Sequence, residues 1–202
     1  MSGNISAADT GSVRANGRSR IAILDMCYIA IFAAVIAVLA QISVPMAGGV
    51  PVTLQTFAVA LAGIVLGWKK GALAAVVYLI LGAVGVPVFT GLKGGLGSLI
   101  GVTGGFIVSF PLLALAAGMA AEMAAGRNTV SRIVILITGL FVGAVLNYAV
   151  GTVWFAVSTG NSIAAGIAAC VAPFVLNDII KLICAVWIGS ILRRALLKAG
   201  LL

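Results

Sequence analysis

The sequence predicts an all-α integral membrane protein: a bundle of six transmembrane helices with both termini cytoplasmic. Three observations predict it. Hydrophobic residues fill 63% of the 202 positions and charged residues only 8%, against about 25% charged in ordinary soluble domains. Apolar runs of spanning length fall at about 21–44, 53–68, 71–85, 104–121, 132–157 and 164–192. Lys and Arg gather at alternate junctions between those runs, which fixes the orientation.

Residues 1–20 are small, polar and basic, with too little apolar surface to fold alone, so a disordered basic tail is expected before a single domain over 21–202. The first run, ~24 residues long, exceeds the 7–15 of a cleavable signal core and is expected to stay as a span. It carries Ala30, Ala33, Ala34 and Ala37. These form two overlapping small-xxx-small pairs that let another helix approach closely. From the residues alone, packing inside the bundle and docking of an external partner remain equally open.

The second and third runs are short, and the Gly- and Pro-rich stretches 45–52 and 86–103 are expected to be ordered loops dipping toward the bundle. Backbone of that kind is tolerated at membrane depth only when buried in protein or lining a cavity. The last run carries Pro173 in its first third, which predicts a kink or a re-entrant start in one long helix.

Arg14, Arg18 and Arg20 precede the first run, and Lys69 and Lys70 follow the second. Arg127 and Arg132 follow the fourth, and Arg193, Arg194 and Lys198 close the sixth. Six spans then place these clusters and both termini inside, leaving Lys93 as the one charge in the outer loops. The basic excess is therefore topological and does not point to nucleic acid.

Several chemistries are excluded or disfavoured. The chain has no histidine, the commonest general base and transition-metal ligand. Cys27, Cys170 and Cys184 are isolated in apolar segments and read as filler. Gly95-Leu96-Gly97 does not complete a dinucleotide fingerprint, and no P-loop motif is present, so no nucleotide hydrolysis, cofactor or metal is expected. Asp9, Asp25, Glu122 and Asp178 are the four acidic residues, and no two of them can converge on the outer side to support an enzyme.

Asp178 and Lys181 are the costliest feature. Three positions apart, they share one helical face, and an unpaired charge at bilayer depth costs at least ~2.5–3.5 kcal/mol. The topology puts them in the outer half of the membrane. A structural salt bridge is the bland alternative, although a buried pair is rarely a net stabiliser. Candidate companions within the spans are Gln55, Tyr78, Asn147 and Tyr148. At the outer loop-to-helix junctions they are Thr53 and Phe57, Phe89, Lys93, and Thr103 and Gly104. A carboxylate, an ammonium, amides and aromatic rings suit a small molecule with hydrogen-bond donors and an apolar body, such as a cyclic urea. A proton-coupled secondary transporter with Asp178 as the titrating group is the competing reading, although no two-fold internal repeat supports it.

The ordered combination of Val50-Pro51-Val52-Thr53-Leu54-Gln55-Thr56-Phe57, Gly85-Val86-Pro87-Val88-Phe89, the Gly94 to Phe106 stretch and a final helix with Pro173, Asp178 and Lys181 resembles the BioY family. These are the biotin-specific S components of energy-coupling factor (ECF) transporters. The resemblance covers nearly the whole chain after the tail, and Val102 departs from it where Pro is more usual. It implies a six-helix subunit that captures biotin from outside, with Asp178, Lys181, the Leu54 to Phe57 motif and Gly101 to Gly105 around the ligand. It also implies a transmembrane coupling partner and two ATP-hydrolysing subunits meeting the small-residue face of the first helix.

Overall fold

The computed structural model describes residues 8–45 and 50–201, with side chains from residue 23 onward. Helix α1 (Ala8–Ala40) leads into a two-stranded antiparallel hairpin, β1 (Ser43–Val44) and β2 (Val52–Thr53), in which Val44 faces Val52. Next come α2 (Gln55–Leu66), α3 (Trp68–Ala83), α4 (Leu96–Ile100), α5 (Gly104–Val108) and α6 (Phe110–Met123). The chain finishes with α7 (Thr129–Thr159), α8 (Ile163–Cys170) and α9 (Val175–Lys198).

Among the described residues, four helical stretches are long and apolar enough to cross a membrane: Ile23–Ala40, Gly104–Met123, Thr129–Thr159 and Val175–Lys198. Their outer faces carry large apolar side chains such as Met26, Phe141 and Trp187, as lipid-facing surface requires. The chain is a multi-pass membrane protein.

Helix α2 lies at the centre. Ala58, Val59, Ala60 and Ala62 are fully buried, and the helix packs against α1, α3, α6 and α9. Its small side chains permit that close approach. At Gly63 a β-carbon would strike the carbonyl of Ala114 on α6. Helix α1 turns Phe32, Ala33, Ile36 and Ala40 to the same core.

Helix α1 begins at Ala8, within the 1–20 stretch for which a disordered tail is expected. Residues 1–7 and the loop tip 46–49 lie outside the described residues. Two sequence expectations are corrected. The last apolar run is two helices, α8 and α9, separated by 171–174. Pro173 lacks the N–H an uninterrupted helix needs there and disfavours helical geometry at residue 172. The 86–103 loop also holds the short helix α4, which apolar periodicity is too brief to signal.

The 86–95 segment is held down by Gln41 at the end of α1. Its Nε2 donates to the carbonyls of Ala37, Val88 and Phe89, and its Oε1 accepts from the N–H of Leu92 at 2.9 Å. Phe89 packs its ring over Gly82 of α3, where any side chain would collide with it. The expectation that this loop dips toward the bundle is met by Phe89, which is 1% exposed.

Candidate functional site

One end of the bundle encloses a cavity of about 440 Å³, within the ~300–1,000 Å³ range of small-molecule sites. Its walls come from Val50, Pro51 and Thr53 of the hairpin, the start of α2, the 89–103 loop, α5, the middle of α7 and the start of α9. Asp178 and Lys181 both line it.

Asp178 sits in the first turn of α9, where the helix dipole favours a negative charge. Its Oδ1 accepts from Lys181 Nζ at 2.7 Å and from Thr56 Oγ1 at 3.2 Å, and its Oδ2 accepts from the Tyr148 hydroxyl at 2.6 Å. The two charged side chains are each 10% exposed. Three donors occupy three of the about four lone-pair sites of a carboxylate, leaving one on Oδ2 open to a ligand N–H. Lys181 spends one of its three donors on Asp178 and keeps the others.

A second polar group lines the same cavity. The Thr53 hydroxyl donates to Gln55 Oε1 at 2.9 Å, and Thr90 reaches the same oxygen at 3.4 Å. Gln55 Nε2 donates to the Tyr78 hydroxyl at 2.6 Å. Asn147 Nδ2 donates to the Phe106 carbonyl and to Ser109 Oγ, which leaves its Oδ1 as an acceptor. The Phe106 and Tyr148 rings meet edge to face with centroids 6.5 Å apart, giving the cavity an apolar side.

Of the residues expected from sequence, Asp178, Lys181, Thr53, Gln55, Phe89, Lys93, Thr103, Asn147 and Tyr148 line this cavity. The remaining three of that set stand behind it. Tyr78 is fully buried, reached only through Gln55, and meets Phe89 edge to face at 5.4 Å. Phe57, the residue after Thr56 and so about 100° round α2 from it, is partly buried and packs against the hydrophobic core. Gly104 is a packing position: a β-carbon there would meet the Leu99 carbonyl and Trp154, whose Nε1 donates to the Gly101 carbonyl at 3.0 Å. Its glycine allows α5 to close against α7.

Thr56, Phe106 and Phe174 are lining residues absent from the expected set. Thr56 belongs to the motif that was singled out, and only its contact with Asp178 shows its part. The alanines of α1 divide between two faces: Ala33 is 1% exposed in the core, Ala37 is half-buried, and Ala30 and Ala34 are exposed.

The comparisons with known proteins identify the family. Residues 12–198 match the BioY family. A probable biotin transporter BioY from Pyrococcus horikoshii is 40% identical over 169 residues, spanning 84% of this chain and 96% of the relative. A biotin transporter BioY from Thermotoga maritima is 40% identical over 172 residues, spanning 81% of this chain and 92% of the relative. A crystal structure of the S-component for biotin from an ECF-type ABC transporter superimposes with a TM-score of 0.75 at 26% identity, covering 85% of this chain and 92% of the other. A family match that runs from the basic segment of α1 to the last turn of α9 takes in every wall of the cavity, and the chain belongs to the BioY family.

Proposed function

We propose that this chain is the biotin-binding membrane subunit of an ECF-type vitamin uptake transporter, capturing biotin with high affinity from the extracellular side. The observation that carries the reading is the buried Asp178–Lys181 pair set in the wall of a half-apolar cavity. A ureido ring needs an acceptor for its N–H groups and a donor for its carbonyl. The open lone pair of Asp178, the Oδ1 of Asn147 and the free donors of Lys181 supply both within one cavity. The fused thioether ring and aliphatic chain of biotin suit Phe106, Phe174 and Ile107, and its carboxylate suits Lys93 at the rim.

The reading includes six spans with both termini cytoplasmic, α2 and α3 being short inner spans sheltered by their neighbours. The residue order of the basic clusters supports that orientation in the cell membrane. Energy comes from a transmembrane coupling subunit and two ATP-hydrolysing subunits. Ala30 and Ala34, exposed on α1, offer the coupling subunit a close approach. Ala33 stabilises the chain's own core.

Titration calorimetry of the purified chain with biotin is expected to give nanomolar affinity, about −12 kcal/mol. Lys93→Ala is expected to abolish the preference for biotin over its methyl ester while leaving ester binding in place. Vesicle uptake by the chain alone, driven by a proton gradient, would overturn the assignment in favour of a secondary transporter.

A further inference from the structure

Away from the substrate cavity, α7 and α9 diverge and leave a groove of about 740 Å³. It is walled by Ile137, Phe141 and Val145 on α7 and by Leu182, Ile183 and Val186 on α9, nearly all hydrocarbon. Where α7 begins and α9 ends, a second cavity of about 150 Å³ is lined by Arg132, Arg193 and Arg194 together with Ser190. The two cavities follow one another along the same pair of helices. On α7, Leu136 lines the smaller and Ile137 the larger. On α9, Val186 lines the larger, and Ser190, one turn on, lines the smaller.

Three guanidinium groups share the small cavity, and no carboxylate lines it. Among the described residues the ion pairs are Lys70–Asp25 and Lys181–Asp178, so none of these arginines is in direct salt-bridge contact with a carboxylate. Arg193 donates Nη1 to the Ile64 and Val65 carbonyls at 3.0 and 3.1 Å, which fixes its position; the Glu122 carboxylate approaches the same spot beside Gly67 and offsets part of its charge, leaving Arg132 and Arg194 as the uncompensated pair. Glu122 is turned to the backbone N–H of Trp68. Gathered like charges repel until an anion joins them, and the planar guanidinium fork matches phosphate oxygens in pairs. A basic pocket between transmembrane helices at the membrane edge is suited to an anionic lipid head group.

The groove continues that site in apolar form. Its α7 lining runs from Ile137 to Val153, ~24 Å of helix, which exceeds the ~15 Å hydrocarbon depth of one leaflet. It can take a whole acyl chain. We propose that an anionic phospholipid is seated here, with its phosphate on Arg132, Arg193 and Arg194 and one acyl chain laid between α7 and α9. The arginines select an anionic over a zwitterionic head group, and the groove selects a lipid over free phosphate. About two-thirds of the way along α7 the groove touches Tyr148 and Asp178, so the outer part of the chain would cover the back of the substrate-site ion cluster.

The test is native mass spectrometry of the full chain, purified in detergent and offered equal amounts of phosphatidylglycerol and phosphatidylcholine with the same acyl chains. One phosphatidylglycerol per chain is expected to be retained, preferred at least about tenfold. Arg132→Gln with Arg194→Gln is expected to bring that preference near unity. Ala144→Phe, which fills the groove and leaves every arginine in place, is expected to lose the lipid. Thermal melting of each variant checks that it is folded, independently of biotin binding. Equal retention of the two lipids by the unaltered chain would overturn the proposal, as would an unchanged preference in both folded variants. Displacement of the retained species by millimolar inorganic phosphate would do so too, by showing an anion site without a lipid groove.

Discussion

Tyr148 donates a 2.6 Å hydrogen bond to Asp178 Oδ2, joining the middle of α7 to the first turn of α9. These helices diverge elsewhere, so the bond is one of the few polar links between them. It also occupies one face of the carboxylate that Lys181 and Thr56 approach from the other.

Asp178→Asn keeps the shape of the side chain and removes its charge, so Lys181 is left buried without an anion. Breaking a buried pair from one side costs about 3–5 kcal/mol. A fall in melting temperature is expected for Asp178→Asn and for Lys181→Ala, with biotin affinity at least ~tenfold lower in each, or ~1.4 kcal/mol. Asp178→Asn combined with Lys181→Met is expected to recover part of the stability and none of the affinity. Calorimetry and melting of the three variants separate the roles, and unchanged affinity in both single variants would remove these residues from the site.

The three donors to Asp178 are expected to rank by geometry. Tyr148→Phe deletes a short bond to a charged acceptor, worth about 1.5–3 kcal/mol, and frees the ring to shift against Phe106. Thr56→Ala deletes a 3.2 Å bond and is expected to cost less. Biotin dissociation followed by stopped flow should quicken more in Tyr148→Phe than in Thr56→Ala; the reverse order would mean that Thr56, not Tyr148, chiefly holds the Asp178 carboxylate in place.

The heart of the site was legible in sequence because a charge in an apolar run has few permitted places. Asp178 and Lys181 announced themselves through cost and through i,i+3 spacing. Gln55 and Asn147 did so as amides in spans, and Lys93 as the lone outer charge. Depth was not legible. Tyr78 and Tyr148 look alike on paper, yet Tyr148 lines the cavity while Tyr78 lies behind Gln55, because only the packing of α2 on α3 decides which ring is screened. Thr56 was hidden since a hydroxyl carries no cost signal. Gly104 was read as a backbone donor to the ligand because glycine serves close approach in general, and the sequence does not say whether ligand or Trp154 does the approaching.

Gly82 and Gly97 make a matched pair for the loop that forms one cavity wall. A β-carbon at Gly82 would drive into the ring of Phe89, whereas one at Gly97 meets open space. Gly82→Ala is expected to displace Phe89, lowering stability by roughly 1–3 kcal/mol as overpacking does and weakening biotin binding with it. Gly97→Ala should leave the melting temperature unchanged. Equal melting of the two variants would show that Phe89 has room to move.

Gln41 ties the end of α1 to the 86–95 segment through the Val88 and Phe89 carbonyls and the Leu92 N–H, and is itself anchored on the Ala37 carbonyl of α1. The Leu92 amide it accepts from belongs to a residue at φ 55°, a left-handed conformation that is costly for leucine and persists only where the surroundings impose it. Gln41→Leu keeps the bulk and removes every one of those bonds. The buried carbonyl of Phe89 then keeps only its bond from the Lys93 N–H at 3.2 Å, while Leu92 is free to relax. Hydrogen exchange is expected to rise across 86–95, most at Leu92, and to stay unchanged in α2, whose amides are bonded within the buried helix. Because Phe89, Thr90 and Lys93 line the cavity, the same variant should release biotin faster without losing the Asp178–Lys181 pair. Exchange rising equally in α2 would mean that Gln41 supports the whole bundle, and exchange unchanged at Leu92 would mean that the segment holds its shape through its own Phe89–Lys93 bridge.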